Sequence, residues 1–350
     1  QDSRAVTDCM NKPKDVTIYD IARKLNVSIA TVSRALKDDP VVNKKTKKQV
    51  EEIAREMGYR YNYFAGNLRS QTTRTIGVII PRLNSYFMSS VIAGMEQVAN
   101  NNGYNLIISQ TSESGDKELV SARTMFNTRV DGLLVSLAYD TTDLSHFEPF
   151  YQKNIPVLFF DRVVENSNST CILIDNRKAA FEVTEHLIAQ GKRRIVHVTA
   201  KSERNVYTDR ITGYRQALAA HRIKYREEYI IYTNLTQESG AEVASQIRKM
   251  KPMPDAVFAA NDNCAVGCML AMKQAGFRIP EDIAFAGFNN DPVSKVIEPN
   301  LTTIHYPGYE MGQAAAMNLI NHLNGSAPLN NMNTIWLRHE LMVRGSSGGR

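Results

Sequence analysis

Between residues 75 and 286, short apolar runs alternate with amphipathic stretches, and this alternation limits the chain to few folds. We predict strands at Thr75–Ile80, Asn105–Ser109, Gly132–Val135, Pro156–Phe160, Arg194–Thr199, Tyr229–Tyr232, Ala256–Ala259 and Ile283–Ala286. Helical apolar spacing predicts helices between most of them, at Met88–Asn101, Lys178–Ala189, Gly213–Ala220, Ala241–Lys249 and Ala265–Ala275. Such alternation is typical of parallel sheets covered by helices. A chain of 350 residues has room for two doubly wound lobes and a smaller unit.

Composition and apolar run length indicate a protein that stays in the cytoplasm. The apolar runs are strand-sized, far below the roughly 18–20 residues of a membrane-spanning helix, so no membrane partner is expected. Residues 1–14 lack the apolar segment of a secretory signal. We predict that residues 1–15 are a disordered extension, in which Met10 is a candidate natural start and residues 1–9 a candidate tag.

The four cysteines do not form a disulfide framework, which agrees with a reducing compartment. Cys264 and Cys268 lie four residues apart in a predicted helix, with no histidine near them in the sequence. We therefore expect packed thiols there and no metal. No cofactor is predicted either.

Positive charge is concentrated at the start of the chain. Residues 1–70 hold fourteen Lys/Arg against nine Asp/Glu, whereas residues 71–350 hold twenty-eight against twenty-seven. A basic segment attached to a nearly neutral body is typical of a module that binds nucleic-acid phosphates. A merely solvated basic face is the alternative that charge alone leaves open.

Three short helices are predicted within residues 16–61. Thr17 and Asp20 have the spacing of an N-terminal cap, and Ser28 precedes a second helical pattern that contains Val32, Ala35 and Leu36. Two short helices joined by a tight turn form a helix-turn-helix, whose second helix enters the major groove of DNA. Asn43 begins a third helix whose first turns carry Lys44, Lys45, Lys47 and Lys48. Those cations oppose the helix dipole, and a nearby polyanion would remove that penalty.

The same segment resembles the headpiece of the LacI/GalR family of repressors. The resemblance is carried by the uninterrupted string from residue 16 to residue 70, which includes VTIYDIA, VSIATVSRAL, VNKKT, MGY and NYFA. It implies an all-α helix-turn-helix headpiece followed by an α/β two-lobed body similar to periplasmic binding proteins, with doubly wound parallel sheets. It also implies that the chain regulates transcription, as a repressor of genes whose operator it binds.

The resemblance assigns DNA contacts to particular residues of the headpiece. Arg34 suits a bidentate contact to guanine, while Ile29 and Ala30 suit apolar contacts such as a thymine methyl. The hydroxyls of Ser28, Thr31 and Ser33 suit phosphates or bases, and Tyr19 and Asn43 match phosphate-contacting positions. Thr17 is a further expected DNA contact. A plain helix cap is the alternative for Ser28, and a solvated helix face is the alternative for Thr31 and Ser33.

Residues 62–70 are predicted to form a hinge helix that folds in the minor groove, with Asn62, Ala65 and Leu68 as its contact residues. By the resemblance, Leu68 wedges between base pairs; the alternative is that it packs on the body. One headpiece buries too little area for tight binding, so we predict a homodimer that recognises a near-palindromic double-stranded operator.

For the body, the resemblance implies a small-molecule effector held between the lobes. We predict a body at 74–345, with lobe one at about 74–173 and 304–330, lobe two at about 174–303 and 331–345, and a tail at 346–350. Polar residues that follow predicted strands are the candidate effector ligands, because parallel sheets bind ligands at the carboxyl ends of their strands. These candidates, together with aromatic residues placed to stack on a ring, are Tyr86, Phe87, Ser136, Asp161, Arg210, Asn261 and Asn289.

Alternatives remain for several of these residues. Asp161 or Asn261 is also suited to cap a helix, Arg210 to pair with Asp209 or Asp262, and Phe87 to the core. The family's usual acidic pair after Gly-Phe is replaced by Asn289-Asn290-Asp291, and Leu235 stands where purine-binding members have an aromatic residue. A sugar or sugar derivative is therefore the favoured effector.

The chain contains no GxxxxGK[ST], no HExxH, no GxGxxG after the first strand, and no GxSxG elbow between a predicted strand and a predicted helix. The seven histidines have no metal-ligand spacing. We predict a regulator rather than an enzyme. A solute-binding transport protein and a sugar-modifying enzyme on a similar fold are the alternatives.

Overall fold

A computed structural model of the chain describes residues 16–59, 72–164, 169–201, 203–329 and 333–348. The chain divides into two compact units, with the boundary between Gln71 and Thr72. Each unit has its own apolar core.

The first unit contains three helices, α1 (Ile18–Leu25), α2 (Ile29–Leu36) and α3 (Lys44–Glu56). Their facing sides bury Ile21, Val32, Ala35 and Val50 in one small core. Asn26, with φ of 52°, ends α1 in the left-handed conformation and allows the tight turn into α2. The predicted helix-turn-helix is confirmed, because the apolar residues at helical spacing are the ones that pack inward.

The second unit begins with a six-stranded parallel sheet in the order β11-β5-β4-β3-β1-β2. Its strands are β1 (Thr75–Ile80), β2 (Asn105–Gln110), β3 (Gly132–Val135), β4 (Val157–Phe160), β5 (Cys171–Ile174) and β11 (Thr334–Leu337). Strands β3, β4 and β5 are buried at every position, as expected for a parallel sheet with helices on both faces. This sheet defines lobe one.

Lobe two contains a four-stranded parallel sheet in the order β7-β6-β8-β9. Its strands are β6 (Ile195–Thr199), β7 (Ile230–Tyr232), β8 (Ala256–Ala259) and β9 (Ala284–Ala286). Two single bridges continue this sheet to β10 (Thr303–His305), which pairs antiparallel with β12 (Glu340–Met342). In both lobes the strand order reverses beside the first strand, which is the arrangement of a doubly wound fold.

Helices cover the sheets of both lobes. In lobe one they are α4 (Tyr86–Asn101), α5 (Gly115–Asn127), α6 (Glu148–Gln152) and α12 (Gly308–Leu323). In lobe two they are α7 (Asn176–Ala189), α8 (Asn205–Ala220), α9 (Gln237–Lys249), α10 (Asp262–Gln274) and α11 (Val293–Val296). The predicted fold class, a helical headpiece followed by a two-lobed parallel α/β body, is confirmed.

One predicted lobe boundary is wrong. The segment 331–345 was assigned as a whole to lobe two, but β11 pairs with β5 in the sheet of lobe one. The residues after Leu337 pack with lobe two, through His339, β12, Arg344 and the turn Gly345–Ser347. The chain therefore changes lobes between Leu337 and Glu340. Sequence pattern did not reveal this because β11 is a half-exposed edge strand whose partner, β5, is distant in sequence and was itself missed.

Helices α4 and α12 cross at glycines. A Cβ atom on Gly312 would lie 1.9 Å from the carbonyl oxygen of Val91, and one on Gly94 would lie 2.1 Å from that of Tyr309. These distances leave no room for a side chain, so the two helix backbones touch directly. Glycine at these positions is therefore required by packing and not by backbone conformation.

We expect Gly312→Ala to lower the free energy of unfolding by about 3 kcal/mol, because the added methyl group forces the two helices apart. Urea denaturation followed by circular dichroism measures the change. Gly115→Ala is the matched control, since its Cβ would meet its nearest neighbour, Asp140 Oδ1, at an ordinary 3.4 Å. Equal stability of the two variants would contradict the direct backbone contact.

None of the helices within the described ranges is both long enough and apolar enough to span a bilayer.

Candidate functional site

Helix α2 presents an exposed face that has no structural use within its own unit. Ile29, Ala30 and Arg34 are exposed, and the side chain of Ile29 is 40% accessible. Val32 and Ala35 on the opposite face are fully enclosed by the core. The exposed face therefore combines a long cation with small and apolar groups, the set that contacts base edges in a major groove.

The hydroxyls at the start of α2 form a helix cap. Ser28 Oγ accepts a hydrogen bond from the Thr31 backbone N–H at 3.1 Å, and it lies 2.8 Å from Thr31 Oγ1. The cap considered as the alternative for Ser28 is therefore present. Ser33 and Thr31 are half-buried. Of the Ser28 and Thr31 hydroxyls, one donates to the other, so a single O–H of the pair remains to donate to a phosphate oxygen.

Thr17, Tyr19 and Asn43 lie at the starts of α1 and α3. Thr17 donates both its backbone N–H and its hydroxyl to Asp20 Oδ2, at 2.9 and 2.7 Å. Asn43 Oδ1 caps α3 by accepting from the Thr46 N–H at 2.9 Å. Tyr19 is 60% exposed, unusual for an aromatic side chain and available for a phosphate contact. The predicted contacts Asn62, Ala65 and Leu68, with the rest of the hinge, lie outside the described residues.

The first turns of α3 are basic and carry no acidic residue. Lys44 and Lys45 are exposed, Lys47 pairs with Asp38, and Lys48 lies 4.0 Å from Glu52. The uncapped N–H groups of Lys44 and Lys45 and their two exposed ammonium groups thus lie at one end of the helix. A phosphate placed there would be favoured by both the dipole and the cations.

The body contains a cleft of about 350 Å³ between its two lobes. Its wall is formed by loops that follow strands in both sheets. After β1 come Arg82 and Asn84, after β4 Asp161 and Arg162, and after β9 Asn289 and Asp291; Glu113, Tyr139, Asn234, Asn261 and Tyr306 follow β2, β3, β7, β8 and β10 in the same way. The cleft thus lies where a doubly wound fold binds its ligand.

Asp161 is hydrogen-bonded to two other polar side chains at this wall. Its Oδ1 accepts a hydrogen bond from Tyr306 OH at 2.8 Å, and its Oδ2 accepts a longer one from Ser136 Oγ at 3.4 Å. Asp161 has φ of 59°, so the chain turns sharply where β4 ends. Ser136 is fully buried behind Asp161 and does not line the cleft. It therefore positions Asp161 and is not placed to contact an effector.

Arg210 projects from α8 into the same region. Its Nε donates to Asn176 Oδ1 at 3.0 Å, its Nη1 donates to the Ala260 carbonyl at 2.8 Å, and its guanidinium lies 3.6 Å over the ring of Phe288. Burial lowers the pKa of Arg210. The alternative pairing with Asp209 or Asp262 is wrong. Asp209 pairs with Arg177 at 2.9 Å, and Asp262 accepts from Thr303 at 2.6 Å. A guanidinium has five N–H groups, so donors remain for a ligand.

Asn261 and Asn289 both line the cleft. Asn261 Oδ1 caps α10 by accepting from the Cys264 N–H, and its Nδ2 donates to the Leu235 carbonyl, each at 2.9 Å. The helix-cap alternative is therefore realised for Asn261, which holds the Leu235 loop against the cleft. Asn289 has φ of 112° and donates its backbone N–H to the Ile304 carbonyl.

The two aromatic candidates have separate positions. Phe87 is 8% exposed and stacks on Tyr306, with ring centroids 4.3 Å apart. It belongs to the core and also lines the cleft, so the two interpretations are compatible. Tyr86 is 56% exposed and lines a smaller adjoining cavity instead of the main cleft.

Sequence reasoning missed a network that joins the lobes across the cleft. Arg162 donates to Glu113 Oε2 at 2.7 Å and to Tyr207 OH at 3.1 Å, and Tyr207 OH lies 2.9 Å from Tyr139 OH. Burial raises the pKa of Tyr207, which therefore remains a neutral phenol. Arg162 was detectable because it directly follows Asp161. Glu113 and Tyr207 were not, because they lie on other elements and meet only in the fold.

Asp262 and Asp291 form a further buried acidic pair beside the cleft. Asp262 Oδ2 accepts the Asp291 backbone N–H at 2.7 Å. Burial and the charge of Asp291 raise the pKa of Asp262 well above its usual range.

Cys264 and Cys268 are buried thiols, as expected, and burial raises the pKa of Cys264 to about 12. Within the residues that the structure covers, no group of three or more metal-ligating side chains occurs.

Comparison with family models divides the chain in the same way. Residues 17–62 match the model of bacterial regulatory proteins of the lacI family. Residues 184–347 match a periplasmic binding protein-like domain.

Several transcription regulators align with this chain over almost its whole length. The HTH-type transcriptional repressor CytR of Escherichia coli strain K12 is 32% identical over 332 residues, which is 95% of this chain and 96% of that protein. A crystal structure of the Lac repressor dimer bound to operator and the anti-inducer ONPF is 26% identical with a TM-score of 0.84, over 95% of this chain and 99% of that one. The complex of the transcriptional regulator CelR with cellobiose is 25% identical with a TM-score of 0.71, over 95% and 99%. These relatives are transcription regulators and not enzymes, which confirms that prediction.

Proposed function

Because this chain belongs to the lacI family of bacterial regulatory proteins and is a DNA-binding transcription regulator, we propose that it is a homodimeric repressor. We further propose that a hydroxylated small molecule bound in its cleft weakens or strengthens its binding to DNA. The repressor role is supported by the similarity to CytR, the dimer by the similarity to the Lac repressor dimer, and the sugar class by the CelR–cellobiose complex.

On the DNA side, the exposed face of α2 is proposed to read bases. Arg34 contacts a guanine, Ile29 and Ala30 contact apolar base edges, and Tyr19 and the start of α3 hold phosphates. Residues 62–70 are proposed to complete the contact in the minor groove. Two headpieces in a dimer then read two half-sites of a near-palindrome.

On the effector side, the observation that carries the proposal is the composition of the cleft wall. Asp161 supplies acceptors and Arg210 supplies donors, at fixed positions, with Phe87 beside them for the face of a ring. Vicinal hydroxyls both donate and accept, so a sugar satisfies both groups at once. Leu235, whose loop is held by Asn261, lies in the wall where an aromatic residue would suit a purine.

Regulation follows from the placement of the cleft. A ligand that touches both walls favours one angle between the lobes, and the coupling to DNA is its difference in affinity between the binding and non-binding states, typically about 1–3 kcal/mol. In this chain Arg162, Tyr139 and Tyr207 already join the walls.

The test is operator selection from a random duplex pool, followed by fluorescence anisotropy with the selected duplex. We expect a dissociation constant on the order of 10 nM at physiological salt that weakens steeply as salt rises. At least one sugar in a panel should change that constant by about 5–150-fold. A shuffled duplex is the control. Failure to select any duplex, even at low salt, would contradict the proposal.

A further inference from the structure

Asp291 is a buried carboxylate in the wall of the effector cleft. It follows β9 by a short loop, is 3% exposed, and lines both the main cleft and the adjoining cavity of about 200 Å³. Phe87 and Tyr306 line both cavities as well. Asp291 therefore lies beside the aromatic surface on which a ring would stack.

One oxygen of this carboxylate has no hydrogen-bond partner. Asp291 Oδ1 is buried and receives no hydrogen bond from any described residue. Oδ2 accepts a long one from Asn263 Nδ2 at 3.4 Å, and a side-chain hydrogen bond from Asn289 to the carboxylate partly offsets the effect of burial on its pKa. Buried carboxylate oxygens normally accept several hydrogen bonds, because an ionised group removed from water is costly without them.

The charges around Asp291 do not supply this partner. Asp262 lies behind it, accepts the Asp291 backbone N–H and carries no positive charge. The Arg344 guanidinium donates instead to Asn290, Ser294 and the Leu301 carbonyl. Burial raises the pKa of Asp291 to about 6, which leaves the group mainly ionised at neutral pH.

Two other carboxylates of the inner wall, the half-buried Glu113 and the buried Asp161, already face cations or hydroxyl donors. Glu113 pairs with Arg162 at 2.7 Å and with Arg82 at 3.1 Å. Asp161 accepts from Tyr306 and Ser136. An acceptor that lacks a donor, in a cavity built for a ligand, indicates that the ligand brings the donor.

We propose that Asp291 binds an ammonium group carried on the hydroxylated ring of the effector, so that the effector is an amino sugar and not a neutral sugar. This inference rests on the proposed function. An ammonium group supplies both the missing N–H and the missing charge, and charge-assisted hydrogen bonds are roughly twice as strong as neutral ones. A neutral hydroxyl would fill the acceptor but leave the negative charge uncompensated.

The binding experiment uses matched ligands on the full-length protein. Isothermal titration compares glucosamine with glucose and with N-acetylglucosamine, and makes the same comparison for the galactose and mannose series. We expect at least one amino sugar to bind about 30-fold or more tightly than both of its neutral counterparts. Asp291→Asn should reduce that preference to a few-fold. Asp116→Asn, on an exposed helical turn away from the cleft, should leave it unchanged.

A second readout needs no ligand. At pH 8, Asp291→Asn should raise the melting temperature of the free protein by several degrees, because it removes an uncompensated buried charge. Asp291→Ser provides a second neutral variant if the amide packs badly.

The outcomes separate this inference from the proposed function. If neutral and amino sugars bind equally and Asp291→Asn changes neither preference nor melting temperature, the sugar effector stands and the inference is overturned. If no sugar of either kind binds while the operator does, the sugar effector and the inference are both overturned.

Discussion

Arg34→Ala is expected to weaken binding to the selected operator by about 5–150-fold, the range that corresponds to losing one bidentate arginine–guanine contact. The side chain is exposed on α2, so its removal should leave the stability of the headpiece within about 0.5 kcal/mol. Fluorescence anisotropy with operator and with shuffled duplex measures the two affinities separately. The loss should be largest for the operator, because phosphate contacts elsewhere are retained.

Arg55→Ala is the matched control for this prediction. Arg55 is also an exposed arginine, but it lies in the last turn of α3, far along the helix from its basic start. Both variants lose the same charge, so a general electrostatic effect would weaken operator and shuffled duplex alike in each. Equal behaviour of the two variants would show that α2 does not read bases through Arg34.

Arg210→Met is expected to weaken effector binding by about 100-fold or more while operator binding persists. Truncating one partner of a buried hydrogen-bonded charge contact typically costs about 2–5 kcal/mol. The variant also leaves Asn176 Oδ1 and the Ala260 carbonyl without their donor, so the melting temperature should fall by a few degrees. Titration calorimetry with the effector found in the screen gives the affinity, and anisotropy gives the operator response.

Arg177→Met serves as the control for Arg210. Arg177 belongs to the neighbouring helix α7 and forms an exposed pair with Asp209 at 2.9 Å. Exposed pairs contribute little, so this variant should keep both effector affinity and stability. An Arg210→Met protein that still responds to effector at the wild-type concentration would refute the assignment of Arg210.

The headpiece could be predicted from sequence almost element by element. Ile21, Val32, Ala35 and Val50 recur at helical spacing, and the caps at Ser28 and Asn43 mark helix starts. Each signal is local, because a helix satisfies its backbone hydrogen bonds within itself. The signals of the correctly predicted strands are also local, because a short, continuous apolar run such as Gly132–Val135 indicates a buried strand without reference to distant residues.

The candidate site was predicted only in part. Asp161, Asn261 and Asn289 were found because each lies within three residues of the end of a buried strand, and the structure places all three in the cleft wall. Ser136 and Tyr86 satisfied similar rules, yet one lies behind the wall and the other beside it. A position just after a strand shows that a residue lies at the carboxyl edge of the sheet, where ligands bind. It does not show the direction in which the side chain points.

By itself, the sequence determined the helix-turn-helix, the two parallel sheets and the loops that carry polar residues, because periodicity, caps and strand ends are encoded within a few neighbouring positions. The tertiary structure alone decided that β11 joins lobe one, that Arg162 bonds Tyr207 across the cleft, and that one oxygen of Asp291 has no donor. These features depend on which distant segments meet and on which hydrogen bonds are left unmade when they do. Such information exists only once the chain has folded.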